Sequence, residues 1–237
     1  MVLELDSIGV SYGARRVLTA ASLRAPAGRV TVLVGRNGVG KTSLLRAGVG
    51  LEPRDHGTVR LMGRWYPRPR LANLARAGLF FLPARSVLEP FISLNRQLAA
   101  VSAWFAGPSV EELTSRFGLD GVVGQRPAAL SSGELRRAEL ALAVARNPVC
   151  LIADEPFRGL DPHDIEVIVA GVRALAERGA AVVLTGHELP TLRNVADAVV
   201  WCVAGSTREF PTASAAWGDP QLRQEFLGVD RLGTDRR

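Results

Sequence analysis

Apolar residues along this 237-residue chain fall in short runs separated by turn-forming residues. Val30-Thr31-Val32-Leu33-Val34, Ala77-Gly78-Leu79-Phe80-Phe81-Leu82, Val149-Cys150-Leu151-Ile152-Ala153, Ala180 to Thr185 and Ala198 to Ala204 are almost unbroken. Runs of that length, rich in β-branched residues, predict buried strands. Residues 2–10 and 16–24 predict two more strands around the turn Ser11-Tyr12-Gly13-Ala14, and Thr58 to Met62 alternates like a half-exposed strand. Gly63 to Arg70, rich in Arg and Pro with Trp65 and Tyr66 between, predicts a solvated loop. Ala198 to Ala204 reads as the last strand.

Between residues 84 and 146 the pattern becomes helical. Ser93 to Phe105 has a largely apolar face, and a second helix opens near Pro108-Ser109 and stops around Gly118. Ser131 and Glu134 have the spacing of a capping box, which starts a third. Further on, Asp161-Pro162 is an N-cap followed by proline at the first helical position, and that helix ends at Gly179. Leu222 to Arg237 predicts a short helix and then, from residue 229, a polar tail.

The strand at Val30–Val34 runs into Gly35-Arg36-Asn37-Gly38-Val39-Gly40-Lys41-Thr42, and Ser43-Leu44-Leu45 opens a helix. Strand, glycine loop and helix in that order form a phosphate-binding loop. Glycines let successive N–H groups curl toward one anion, and the helix adds the positive end of its dipole. Lys41 is placed to reach the β- and γ-phosphates, Thr42 to ligate Mg²⁺, and Ser43 to add a hydroxyl nearer the α-phosphate. Lys41 is also the only lysine in the chain. A compact ammonium on a flexible stem differs chemically from the guanidinium used everywhere else.

The run ending at Ala153 is followed by Asp154-Glu155-Pro156. Two acids at the C-terminal end of a strand sit on the rim where open α/β sheets bind ligands. Asp154 is the candidate Mg²⁺ carboxylate, and Glu155 is placed to polarise a water toward the γ-phosphate. His187 follows the Ala180–Thr185 strand and shares that rim, next to the same phosphate. Tyr12, on the loop after the first strand, is an aromatic platform for a base.

Composition narrows the setting. The chain is 47% hydrophobic and 22% charged, with net charge +6. No run of 18 apolar residues offers a membrane span. The N-terminal residues lack the basic and apolar regions of a signal peptide. Cys150 and Cys202 lie in apolar runs and read as buried thiols in a reducing compartment. The positive balance suits nucleotide, lipid headgroups or nucleic acid and does not choose among them.

Taken together, these stretches resemble the ATP-binding subunit of an ABC transporter over nearly the full length. Tyr12 resembles the adenine-stacking aromatic, Gly35 to Thr42 the P-loop, Leu130-Ser131-Ser132-Gly133-Glu134 the signature motif, Asp154 and Glu155 the magnesium acid and catalytic glutamate, Asp161 the D-loop aspartate and His187 the switch histidine. Glu155 to Pro162 and Glu225 to Gly228 are similar to subunits of branched-chain amino acid importers and lipopolysaccharide exporters.

The resemblance implies an α/β fold of the P-loop NTPase type. It would have a mostly parallel core sheet, an N-terminal antiparallel β subdomain and an inserted helical subdomain. One domain is implied over 1–228, with residues 1–83 and 147–228 forming the core and 84–146 the helical part. It implies ATP hydrolysis with Mg²⁺, with Glu155, His187 and Lys41 catalytic and Thr42 and Asp154 on the metal. It also implies an ATP sandwich. ATP on Gly35, Arg36, Asn37, Gly38, Val39, Gly40, Lys41, Thr42 and Ser43 of one subunit is closed by Ser131 and Gly133 of another, and Asp161 is a further implied nucleotide-site residue. The implied partners are a transmembrane permease and a second ATP-binding subunit, identical or not, with no direct nucleic acid. The implied location is cytoplasmic, on the inner face of the cell membrane.

Three positions, Ser132, Glu134 and Ala84, depart from the family pattern. The signature reads Leu-Ser-Ser-Gly-Glu where Leu-Ser-Gly-Gly-Gln is usual, and Ala84 stands where the Q-loop glutamine is expected. These leave room for a weakly hydrolysing regulatory partner in a heterodimer. A soluble ABC-type ATPase acting on nucleic acid or ribosomes is the other alternative. The Trp65-Tyr66 pair among arginines suits it, whereas a coiled-coil insertion, a zinc motif and a tandem ATPase copy are missing from this sequence.

Overall fold

The computed structural model describes residues 1–227. In chain order the elements are β1 (Leu3–Tyr12), β2 (Arg15–Ala25), β3 (Val30–Val34), α1 (Lys41–Gly48), β4 (His56–Leu61), β5 (Arg64–Trp65), α2 (Leu71–Arg76), β6 (Leu79–Leu82), α3 (Leu94–Phe105), α4 (Val110–Phe117), α5 (Ser132–Ala145), β7 (Cys150–Ala153), α6 (Pro162–Glu177), β8 (Ala181–Thr185), α7 (Leu189–Val195), β9 (Ala198–Val203), β10 (Ser206–Phe210) and α8 (Ala213–Gly218). A helical turn at Pro220–Leu222 and a π-helical turn at Arg223–Leu227 follow.

The strands form one mixed sheet in the order β5-β4-β1-β2-β10-β9-β3-β8-β7-β6. The half from β9 to β6 is parallel, and the half containing β1, β2, β4 and β5 is antiparallel. β10 joins them, antiparallel to β9 and touching β2 through the single parallel pair Ser206–Ala20. This is the α/β architecture of P-loop NTPases.

Alternate residues of the parallel strands feed two cores, as the two-residue period of a strand requires. Val30, Val32 and Val34 pack with α3 to α6 on one face, while Leu33 packs with α1 and the antiparallel strands on the other. Arg137 of α5 ties the helices together. One guanidinium nitrogen donates to the carbonyls of Phe117 (2.5 Å) and Gly118 (2.7 Å), which end α4. Its Nε lies 2.8 Å from Asp164 of α6.

Several expectations are corrected. Ala198–Val203 is not the last strand. Ser206–Phe210 follows it, and its polar sequence hid it because only Phe210 is fully buried. Gly63–Arg70 is not a plain loop, because it contains β5 and buries Tyr66, whose N–H donates to Val59. Tyr12 ends β1 instead of sitting in the turn. Helices α2 and α7 were not anticipated. The short helix expected from Leu222 is present, as the continuous helical stretch made by Pro220–Leu222 and Arg223–Leu227, and the polar tail lies outside the described residues.

Candidate active site

Register sets the site. Leu33 of β3 pairs with Thr185 of β8, and Ala153 of β7 pairs with Leu184. The three neighbouring strands therefore end together and deliver the glycine loop, Asp154-Glu155 and His187 to one edge. A cleft of about 810 Å³ there is lined by Tyr12, Asn37, Gly38, Gly40, Lys41, Thr42, Ser43, Glu155 and His187, all expected, and also by Arg15, Val17 and Arg158.

The loop has the geometry of an anion nest. Gly35, Gly38 and Gly40 take φ of 148°, 74° and 111°. A Cβ on Gly35 would lie 2.5 Å from the carbonyl oxygen of Cys202, and one on Gly40 would lie 2.7 Å from Leu18. Gly40 caps α1 and has no side chain to bond the helix's first N–H groups, which leaves them to an external acceptor. Lys41 is 7% exposed, and its Nζ donates to the carbonyls of Gly35 (2.8 Å) and Arg36 (3.1 Å). Burial lowers the pKa of this ammonium, against the opposing pull of Cys202, Glu155 and Asp154. Gly35, Arg36 and Val39 shape the loop from behind. Val39, for example, offers its carbonyl to the Cys202 thiol at 3.7 Å.

Asp154 is buried, and one of its oxygens, Oδ1, accepts from Thr185 Oγ1 at 2.6 Å and from Thr42 Oγ1 at 3.3 Å. Among the described residues no three His, Cys, Asp or Glu side chains cluster as a metal cage. One carboxylate beside one hydroxyl at a phosphate site is the donor set that suits Mg²⁺, which keeps waters and takes substrate oxygens. Thr185 was missed in the sequence, where it looks like the end of an apolar strand. It also accepts the N–H of Glu155 at 2.8 Å.

Glu155 has a left-handed φ of 51°, which is uncommon for a non-glycine residue and aims its side chain into the cleft. Its Oε1 lies 3.0 Å from His187 Nε2 and its Oε2 3.3 Å from Arg158 Nη1. Tyr12 hydrogen-bonds Ser43 Oγ at 3.0 Å and also donates to Glu52. The Ser43 hydroxyl expected near the α-phosphate is thus engaged by Tyr12. Burial, then the Glu52 carboxylate, raises the phenol's pKa.

Ser131, Gly133 and Asp161 are not among the residues lining this cleft. Ser131 caps α5 in the expected box, accepting from Glu134 N–H at 3.2 Å while Glu134 accepts from Ser131 N–H at 2.8 Å. That backbone bond holds the Glu134 carboxyl below its ordinary range. Asp161 caps α6 through Asp164 N–H at 2.8 Å. Gly133 has a packing role that the sequence did not reveal, since a Cβ there would sit 1.8 Å from Asp164 Oδ2. The segment at Ala84 is held by α5. Arg136 donates to the carbonyls of Pro83 (3.3 Å) and Ala84 (3.5 Å) and pairs with Glu139 at 2.9 Å, and Glu139 accepts from Val87 N–H at 3.3 Å.

The family model described as ABC transporter matches residues 18–158. The Nod factor export ATP-binding protein I of Rhizobium etli is 32% identical over 235 residues, covering 96% of this chain and 72% of that protein. The lipopolysaccharide export system ATP-binding protein LptB of Haemophilus influenzae is 28% identical over 96% of this chain and 97% of its own length. A nucleotide-free ATP-binding cassette from an ABC transporter superposes with a TM-score of 0.80 at 20% identity, covering 96% of this chain and 99% of that one. With the matched region extending from β2 past Asp154-Glu155, the chain belongs to the ABC transporter family as one of its ATP-binding domains.

Proposed function

We propose that this chain binds and hydrolyses Mg²⁺-ATP as the motor subunit of a membrane transporter, working as one half of an ATP sandwich. The observation that carries the reading is the meeting of the glycine loop, Asp154, Glu155 and His187 at one strand edge. Phosphoryl transfer of this kind is mostly positioning and charge stabilisation. The loop amides and Lys41 hold the phosphates. Asp154 and Thr42 would hold Mg²⁺, which neutralises phosphate charge when bound. Glu155 orients and deprotonates the attacking water, and His187 fixes the carboxylate and faces the γ-phosphate. Tyr12 stacks on the base.

Ser131, Gly133 and Asp161 stand off this cleft, and for Ser131 and Gly133 that supports their serving the nucleotide of a second subunit. The names of the export-system relatives support a transporter, with a permease in the membrane as the other partner and this chain on the membrane's inner face. Among the described residues no helix is long and apolar enough to cross a membrane.

Light scattering on the Glu155→Gln variant tests the sandwich. ATP should convert monomer to dimer, and an unchanged mass with bound ATP would overturn it. Purification in mild detergent from native membranes tests the transporter. A stoichiometric polytopic membrane protein is expected, and recovery solely with ribosomes or nucleic acid would contradict it.

A further inference from the structure

The Trp65-Tyr66 pair among arginines has no part in the ATP site. Residues 56–88 contain six arginines, Arg60, Arg64, Arg68, Arg70, Arg76 and Arg85, and no Asp or Glu, although the whole chain has a net charge of only +6. All six are exposed. Among the described residues none of the six lies in an ion pair, whereas nine other arginines do. Positive charge is therefore concentrated on this segment, beside Glu4, the ladder partner of Arg60, and Glu52 and Asp55, which share a neighbouring cleft with Arg68 and Arg70.

The fold turns that charge into a site. Met62 and Gly63, with φ of 51° and 75°, form the tight turn of the β4–β5 hairpin. Arg64, Arg68 and Arg76 line one cleft of about 540 Å³ with Trp65, Tyr66 and Asn73. Arg64 lies 5.4 Å from the centre of the Tyr66 ring. The hairpin tip is apolar and open. Met62 is 59% exposed, Trp65 is 58% and Met1 is 57%, and Met62 N–H donates to Val2, which holds the N-terminus alongside.

We propose that this hairpin and its arginine cleft bind the phosphate headgroups of an anionic lipid membrane. Guanidinium groups match phosphate oxygens two at a time. Tryptophan prefers the headgroup level of a bilayer, and an apolar face beside basic residues buries into the headgroup–acyl boundary. Clusters of four to eight basic residues are a known footprint of anionic lipid. The apolar tip favours a membrane over nucleic acid, which would use the rings and arginines but offers nothing to Met1 and Met62. The site is separate from the nucleotide cleft and needs no ATP.

Co-sedimentation of the full chain without nucleotide tests it, using phosphatidylcholine vesicles with or without phosphatidylglycerol. The protein should pellet with the anionic vesicles alone and be released as salt screens the contact. The triple variant R64A/R68A/R76A should bind at least tenfold more weakly while melting like the wild type. Should it melt early, Trp65→Ala serves in its place, again with weaker binding at unchanged melting. Equal binding to neutral vesicles, unchanged binding by a folded variant, or binding to single-stranded DNA without binding to vesicles would each overturn the proposal.

Discussion

His187 Nε2 lies 3.0 Å from Glu155 Oε1, although 32 residues separate the two. Parallel pairing of β7 and β8 brings them together, because Ala153 and Leu184 are partners in the ladder. The histidine holds one carboxylate oxygen, and Arg158 holds the other at 3.3 Å. His187→Ala should leave ATP binding intact and lower turnover by roughly 10²-fold, the usual cost of removing one preorganised polar partner. Steady-state phosphate release beside a binding isotherm checks the split. A fall in affinity with unchanged turnover would contradict it.

Lys41→Met should abolish ATP binding without lowering the melting temperature of the nucleotide-free protein. Burial disfavours the Lys41 cation, so replacing it with an apolar side chain of similar length removes a desolvated charge. Wild type should gain thermal stability on adding Mg²⁺-ATP, and the variant should not. Calorimetric binding by the variant at wild-type affinity would remove Lys41 from the phosphate site.

Thr185→Val should cost about 1–3 kcal/mol, since it strips a buried acceptor from Glu155 N–H and a donor from Asp154. Turnover should also require more Mg²⁺, because Asp154 loses the contact that orients it. Chemical denaturation and a Mg²⁺ titration of the rate read the two effects separately.

Gly133→Ala should destabilise the nucleotide-free chain by roughly 1–3 kcal/mol, the usual cost of overpacking. The added methyl overlaps the Asp164 carboxylate on α6. Pairing it with Asp164→Ala should recover part of the loss. A glycine needed for a partner's phosphate alone would leave the melting temperature unchanged.

The parallel core was legible because each central strand is an apolar run that ends in its own chemistry, as at Ala153 before Asp154-Glu155 and at Thr185 before Gly186-His187. The edges were not. Ser206–Phe210 is polar because one side faces solvent, and Arg64–Trp65 is only two residues long. Within the site, the glycine loop carries its function in its spacing. Thr185 and Arg158 carry theirs in register and rotamer, and the sequence does not display those. Gly133 shows the converse, since its motif suggested a phosphate contact while the fold gives it a packing role as well.

Hydrolysis of Mg²⁺-ATP by Glu155→Gln beside wild type, with ATP affinity measured on both, tests the central claim most directly. With Glu155 as the proposed base, the variant should bind ATP as tightly as wild type and lose turnover by roughly 10²–10⁴-fold. A variant that hydrolyses ATP at near the wild-type rate would contradict the assignment of this strand edge as the catalytic site.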